Sequence, residues 1–167
     1  MYRYYIGIDT GVNTGYAIYN RENKLLEVVT CDTIHRFMID VYDYYITVDL
    51  KDILFVVEDA RQVQFNTDKM RAQGAGSVKR DAKIWEDYLK SIGANYMMVR
   101  PKKSITKLDA ETFKATTGWT ERTNSHARDA AMLVWGATYT PQQVLLHNER
   151  LKGKKSSVKI KRNNLTS

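Results

Sequence analysis

The chain of 167 residues, 43% hydrophobic and 27% charged, is long enough to bury a real core within one domain. Its single cysteine, Cys31, excludes an internal disulfide framework and suits a reducing compartment; no apolar run nears the ~20 residues of a membrane span, and Met1 leads into a strand pattern rather than a secretory leader, so a soluble, cytoplasmic protein is expected. The formal net charge of +7 is uneven: residues 150–167 hold seven Lys or Arg and no acid, leaving 19 of the 26 bases against 19 acids in the first 149 residues.

Residues 2–15, YRYYIGIDTGVNTG, form the stretch around which the rest is organised. Tyr4, Tyr5, Ile6 and Ile8 make a nearly continuous aromatic and β-branched run, the pattern of a strand covered on both faces. That strand delivers Asp9 into a turn bracketed by Gly11 and Gly15, and residues 16–19 form a second, antiparallel strand. A carboxylate at the mouth of such a hairpin is expensive unless something positive answers it.

A polar turn at residues 20–23 leads to a third strand, KLLEVVT, at residues 24–30. Asp32 or Thr33 then caps a helix whose apolar positions Ile34, Phe37, Met38, Val41, Tyr42 and Tyr45 keep helical spacing. Residues 53–57 are a second continuous apolar run, again ending in an acid, Glu58. After a crossover helix this strand should pair parallel with the first. Glu58 alone reads as a strand-end acid turned to water or as a site residue, and two buried runs ending alike favour the site. Asp59 alternates to the opposite face, as a supporting or water-facing acid.

Residues 60–76 are polar and poorly periodic, with Phe65 either a core anchor or a base-stacking aromatic. From Ser77 a helix is predicted, with Val78, Ala82, Trp85, Leu89 and Ile92 inward and Lys79, Arg80 and Lys83 outward, either solvated or facing DNA. Gly93 ends it, and residues 95–100 form a fifth strand stopped by Pro101. Lys102, Lys103 and Lys107 then cluster with Ser104 and Thr106, a composition suited to phosphate oxygens. A short helix at residues 109–116 precedes NSHARDAAMLVWGA at residues 124–137, where Asn124 or Ser125 caps a helix and His126 and Asp129 share a face at i, i+3.

Asp9, Glu58 and Asp129, with His126 beside them and no obvious basic partner on the same elements, are what a hard divalent cation prefers. Zinc would call for Cys or more His. Such a site beside a basic surface fits phosphodiester hydrolysis. The motifs G-x-x-x-x-G-K-[ST] and G-x-G-x-x-G are absent from the sequence, which removes P-loop and Rossmann readings.

The residues IGIDTGVNTGYAI (6–18), VVED (56–59) and SHARDAA (125–131), in this order and spacing, resemble the ribonuclease H-like superfamily and, within it, phage or bacterial RuvC-type Holliday-junction resolvases. The resemblance implies an α/β fold, a five-stranded mixed sheet flanked by helices. It implies that Asp9, Glu58 and Asp129 are metal ligands for magnesium or manganese, two ions per site, with His126 where relatives carry a histidine or another acid. It further implies a homodimer that cuts a four-way junction by paired nicks, leaving 5′-phosphate and 3′-hydroxyl ends, in the host cytoplasm if phage-encoded. Phe65 lies near the expected place of a stacking aromatic, and Lys102, Lys103 and Lys107 are candidates for a lysine near the site. Residues 1–149 then constitute the nuclease domain and residues 150–167 a basic tail expected to be flexible, either a phosphate contact or a solubilising end. Three other readings stay open: a general ribonuclease H-like nuclease, a catalytically silent DNA-binding relative, and an actin-like or sugar-kinase-type ATPase module. The last resembles IGIDTGVNTG too but normally needs a second such domain.

Overall fold

The computed structural model describes residues 1–62, 69–101 and 107–163, with side chains for all of these except 69–75 and 154–163. Three strands come first, β1 (Tyr4–Asp9), β2 (Thr14–Asn20) and β3 (Leu25–Asp32), forming the expected antiparallel meander. After helix α1 (Ile34–Thr47), strand β4 (Ile53–Glu58) returns beside β1 and parallel to it; helix α2 (Lys69–Ser91) then leads to β5 (Asn95–Val99), parallel to β4. The sheet order is β3-β2-β1-β4-β5. Helices α3 (Ala110–Thr117), α4 (Ser125–Val134) and α5 (Pro141–Asn163) complete a mixed five-stranded sheet flanked by five helices. Among the described residues no helix is long and apolar enough to cross a membrane.

Alternation along the central strands divides the core in two. Tyr4, Ile6 and Ile8 of β1 with Ile53, Phe55 and Val57 of β4 pack against Phe37 and Val41 of α1 and Trp85 and Leu89 of α2. On the other face Tyr5, Leu54 and Val56 pack against Ala127, Ala130, Ala131 and Val134 of α4. Period two therefore carries Asp9 and Glu58, at the C-terminal ends of adjacent parallel strands, to the α4 face.

Two segments differ from expectation. Helix α2 begins at Lys69 rather than Ser77, so residues 69–76 of the polar stretch are helical; Lys, Met, Arg, Ala and Gln are good helix formers, and Gly74 and Gly76 hid them. The boundary expected at residue 150 falls inside α5. That helix starts on a reciprocal cap, with Thr140 N–H donating to Gln143 Oε1 (2.8 Å) and Gln143 N–H to Thr140 Oγ1 (3.3 Å), and with Pro141 in its first turn. His147 Nε2 and Asn148 Nδ2 donate to the carbonyls of Met98 (2.9 Å) and Tyr96 (3.0 Å), so α5 closes the β5 edge of the sheet. Leu151 packs against the Phe37 and Trp85 side of the core, tying the first residues of the basic segment to the body.

Candidate active site

The ends of β1 and β4 are locked together before any site residue is considered. Thr10 Oγ1 donates to the Glu58 carbonyl at 3.0 Å, and Thr14 Oγ1 closes the hairpin on the Gly11 carbonyl at 2.8 Å. Asp9 lies opposite Gly15 in the β1–β2 register. Gly15 belongs to β2 rather than to the turn, and a Cβ there would stand 1.9 Å from the His126 carbonyl oxygen; one on Gly7 would stand 2.0 Å from that of Ala130. The two glycines let the backbone of α4 rest directly on the sheet, the close approach that glycine inside a strand permits.

This contact presents the first turns of α4 to Asp9. Asn124 caps the helix, its Oδ1 accepting from Ala127 N–H at 2.9 Å. His126 follows, and its Nδ1 donates to Asp9 Oδ2 at 2.8 Å, while the ring remains 47% exposed. One turn further is Asp129, which shares the electrostatic environment of Asp9 and Glu58.

Each of the three acids is harder to ionise than usual. Burial raises the Asp9 carboxyl, against the opposing pull of its bond to His126. Glu58 is pushed up to about 7, first by burial and then by repulsion from Asp9 and Asp129. Asp129 is raised by burial and by Asp9. Lys107, the candidate lysine among the described residues, favours the ionised form of all three acids. Hard oxygen donors with more negative charge than the local environment supports are the donor set a magnesium or manganese ion takes. Among the described residues no three His, Cys, Asp or Glu are grouped so that they could hold a metal ion together; magnesium usually takes one or two carboxylates and completes its shell with water and phosphate.

No protein-family model and no curated protein matches the sequence. Among solved structures, the chain is similar to Thermus thermophilus RuvC in complex with a Holliday junction substrate, at a TM-score of 0.53 and 16% identity over 79% of this chain and 90% of that one. A Thermus thermophilus RuvC structure gives 0.49 and 14% identity over the same shares. The fold is that of RuvC.

Within this RuvC fold, other residues singled out from the sequence fall elsewhere. Lys79, Arg80 and Lys83 lie on α2, the helix that covers the sheet face opposite the acids; Lys83 is paired with Asp87. Phe65, Lys102 and Lys103 lie outside the described residues. Of the two roles expected for Asp59, the supporting one holds, since it is 2% exposed. It takes Arg61 Nε at 2.6 Å and Nη2 at 2.9 Å, and Arg61 also reaches Glu86 at 2.7 Å. This network pins the turn after β4 to α2, and the sequence hid it because Glu86 is remote in the chain. Gly7, Gly15 and Arg128 were also missed as site-building residues; a glycine at a core-facing strand position was the available signal for the first two.

Proposed function

We propose that this chain is a divalent-metal-dependent endonuclease that resolves four-way DNA junctions by paired nicks, leaving 5′-phosphate and 3′-hydroxyl ends. The observation that carries the reading is that Asp9 and Glu58, at the ends of adjacent parallel strands, and Asp129, on the helix whose His126 bonds Asp9, are three carboxyls that burial makes hard to ionise, Glu58 further opposed by Asp9 and Asp129 and Asp129 by Asp9. The RuvC fold supports it, as does the junction substrate of the similar Thermus thermophilus protein.

In this reading Asp9, Glu58 and Asp129 hold magnesium or manganese, two ions per site. Bound there, the metal supplies a Lewis acid and an activated water for phosphodiester hydrolysis. Asp9 orients His126 through Nδ1, which leaves the imidazole to accept or return a proton at Nε2. The Lys107 ammonium offsets charge on the phosphate at the mouth of the site. Phe65, Lys102 and Lys103 extend the DNA contact, whereas the Lys79, Arg80 and Lys83 surface of α2 lies on the opposite sheet face and is a solvated one. One acidic pocket per chain cuts one strand, so a two-fold homodimer matches the two-fold symmetry of a junction.

The test is cleavage of junction, flap and duplex substrates with magnesium or manganese, by the wild type and by D9N, E58Q and D129N. Paired nicks confined to the junction and lost in each variant are expected. Equal nicking of all three substrates replaces the resolvase with a general ribonuclease H-like nuclease.

A further inference from the structure

Arg128 sits between His126 and Asp129 in sequence, yet its side chain is spent on two loops. Nε donates to the Leu108 carbonyl at 2.9 Å, and Nη1 donates to the Thr123 carbonyl at 3.1 Å and reaches Thr123 Oγ1 at 3.4 Å. The guanidinium thus ties the segment entering α3 to the segment entering α4. Leu108 is held a second time by its side chain, which packs on the core cluster containing Tyr5 and Ala127. Asp109 is held too, since it caps α3 by accepting from Thr112 N–H at 2.8 Å and Thr112 Oγ1 at 3.0 Å.

Lys107 precedes these anchored residues and is itself exposed. A lysine ammonium rides on a flexible four-carbon stem. Its stem springs from a backbone held on the C-terminal side by the Leu108 and Asp109 contacts.

We propose that Arg128 is a positioning residue: by fixing the Leu108 carbonyl against Thr123, it sets the Lys107 ammonium beside the acidic pocket formed by Asp9, Glu58 and Asp129. The role of the pocket rests on the nuclease reading above; the positioning itself does not. Arginine is required because a planar fork serves both loops at once, whereas a lysine at 128 keeps the charge and loses the fork.

The experiment uses the full chain without metal, its lysines reductively methylated with ¹³C and observed by NMR, with Lys107 assigned by the signal lost in K107R. In the wild type the Lys107 resonance stands apart from those of lysines remote from the acids, and in R128K it joins them while the melting curve stays cooperative. A wild-type Lys107 signal coincident with those of lysines remote from the acids overturns the proposal without any variant. So does an R128K signal that stays in place, because a purely structural arginine lowers stability without moving it. Divalent affinity by calorimetry supplies a second readout. K107M should bind Mn²⁺ about threefold to tenfold more tightly, as one nearby positive charge is removed. R128K should shift in the same direction, and the double variant should go no further than K107M alone; additive effects overturn the coupling. A wild type that binds no divalent ion would sink the nuclease reading, and the Lys107 resonance would still decide the positioning.

Discussion

Glu58→Gln should stabilise the metal-free protein at alkaline pH and leave it unchanged at acid pH. The Glu58 carboxyl moves from an ordinary 4.5 to about 7 in the folded chain, so the folded state binds a proton that the unfolded chain releases. The stability this proton carries is fully present below 4.5 and is lost as pH rises through 7. Moving a carboxyl that far corresponds to ~3 kcal/mol at ~1.4 kcal/mol per pH unit, and partial exposure reduces this to ~1–2 kcal/mol through solvent screening. Glutamine keeps the shape and omits the charge. Thermal melts in EDTA should therefore show E58Q above the wild type by about 2–8 °C at pH 8, with the gap closing toward pH 4.5. Adding magnesium should reverse the order, because only the wild type keeps the complete ligand set. A gap independent of pH, or an E58Q that is less stable at pH 8, would refute the claim that burial, with Asp9 and Asp129 beside it, holds the Glu58 carboxyl up.

Gly15→Ala places a Cβ 1.9 Å from the His126 carbonyl oxygen and should cost at least ~2 kcal/mol by overpacking. It should also abolish metal-induced stabilisation in melting curves, since α4 must lift from Asp9. D9N and D129N should each eliminate metal-dependent cleavage while DNA binding, measured by anisotropy in EDTA, holds within a few-fold. His126→Ala should slow cleavage by an amount that differs between magnesium and manganese, read from single-turnover rates with each ion. Truncation after Gly153 spares Leu151 and removes most of the basic end of α5. If that end meets phosphates, affinity for every DNA should fall alike, and the slope of log affinity against log salt should flatten by up to ~0.9 per lost contact.

The sheet was legible because its central strands are read from composition alone: residues buried on both faces must be apolar throughout, and Tyr4 to Ile8 and Ile53 to Val57 are. The acids were legible because each interrupts such a run or opens a helix. What escaped depended on pairings distant in sequence. Asp59 read as either a supporting or a water-facing acid, and Arg61, itself held by Glu86 of α2, decides for the supporting role. Gly15 looked like a turn residue because its reason, the His126 backbone, lies more than a hundred positions away. The start of α5 was written in Thr140-Pro141-Gln142-Gln143, a capping signature that the basic composition further on obscured. No pattern marked Arg128, whose acceptors are backbone carbonyls and a threonine hydroxyl, and carbonyls carry no sequence signature.

The most direct test of the central claim is end-mapping of the products when the full chain meets a labelled four-way junction and magnesium. Two symmetric nicks in strands of like polarity are expected, each with a 5′-phosphate and a 3′-hydroxyl, lost in D9N, E58Q and D129N alike. A junction left intact at saturating protein and metal, or cleavage that survives in any one of the three variants, would contradict that claim.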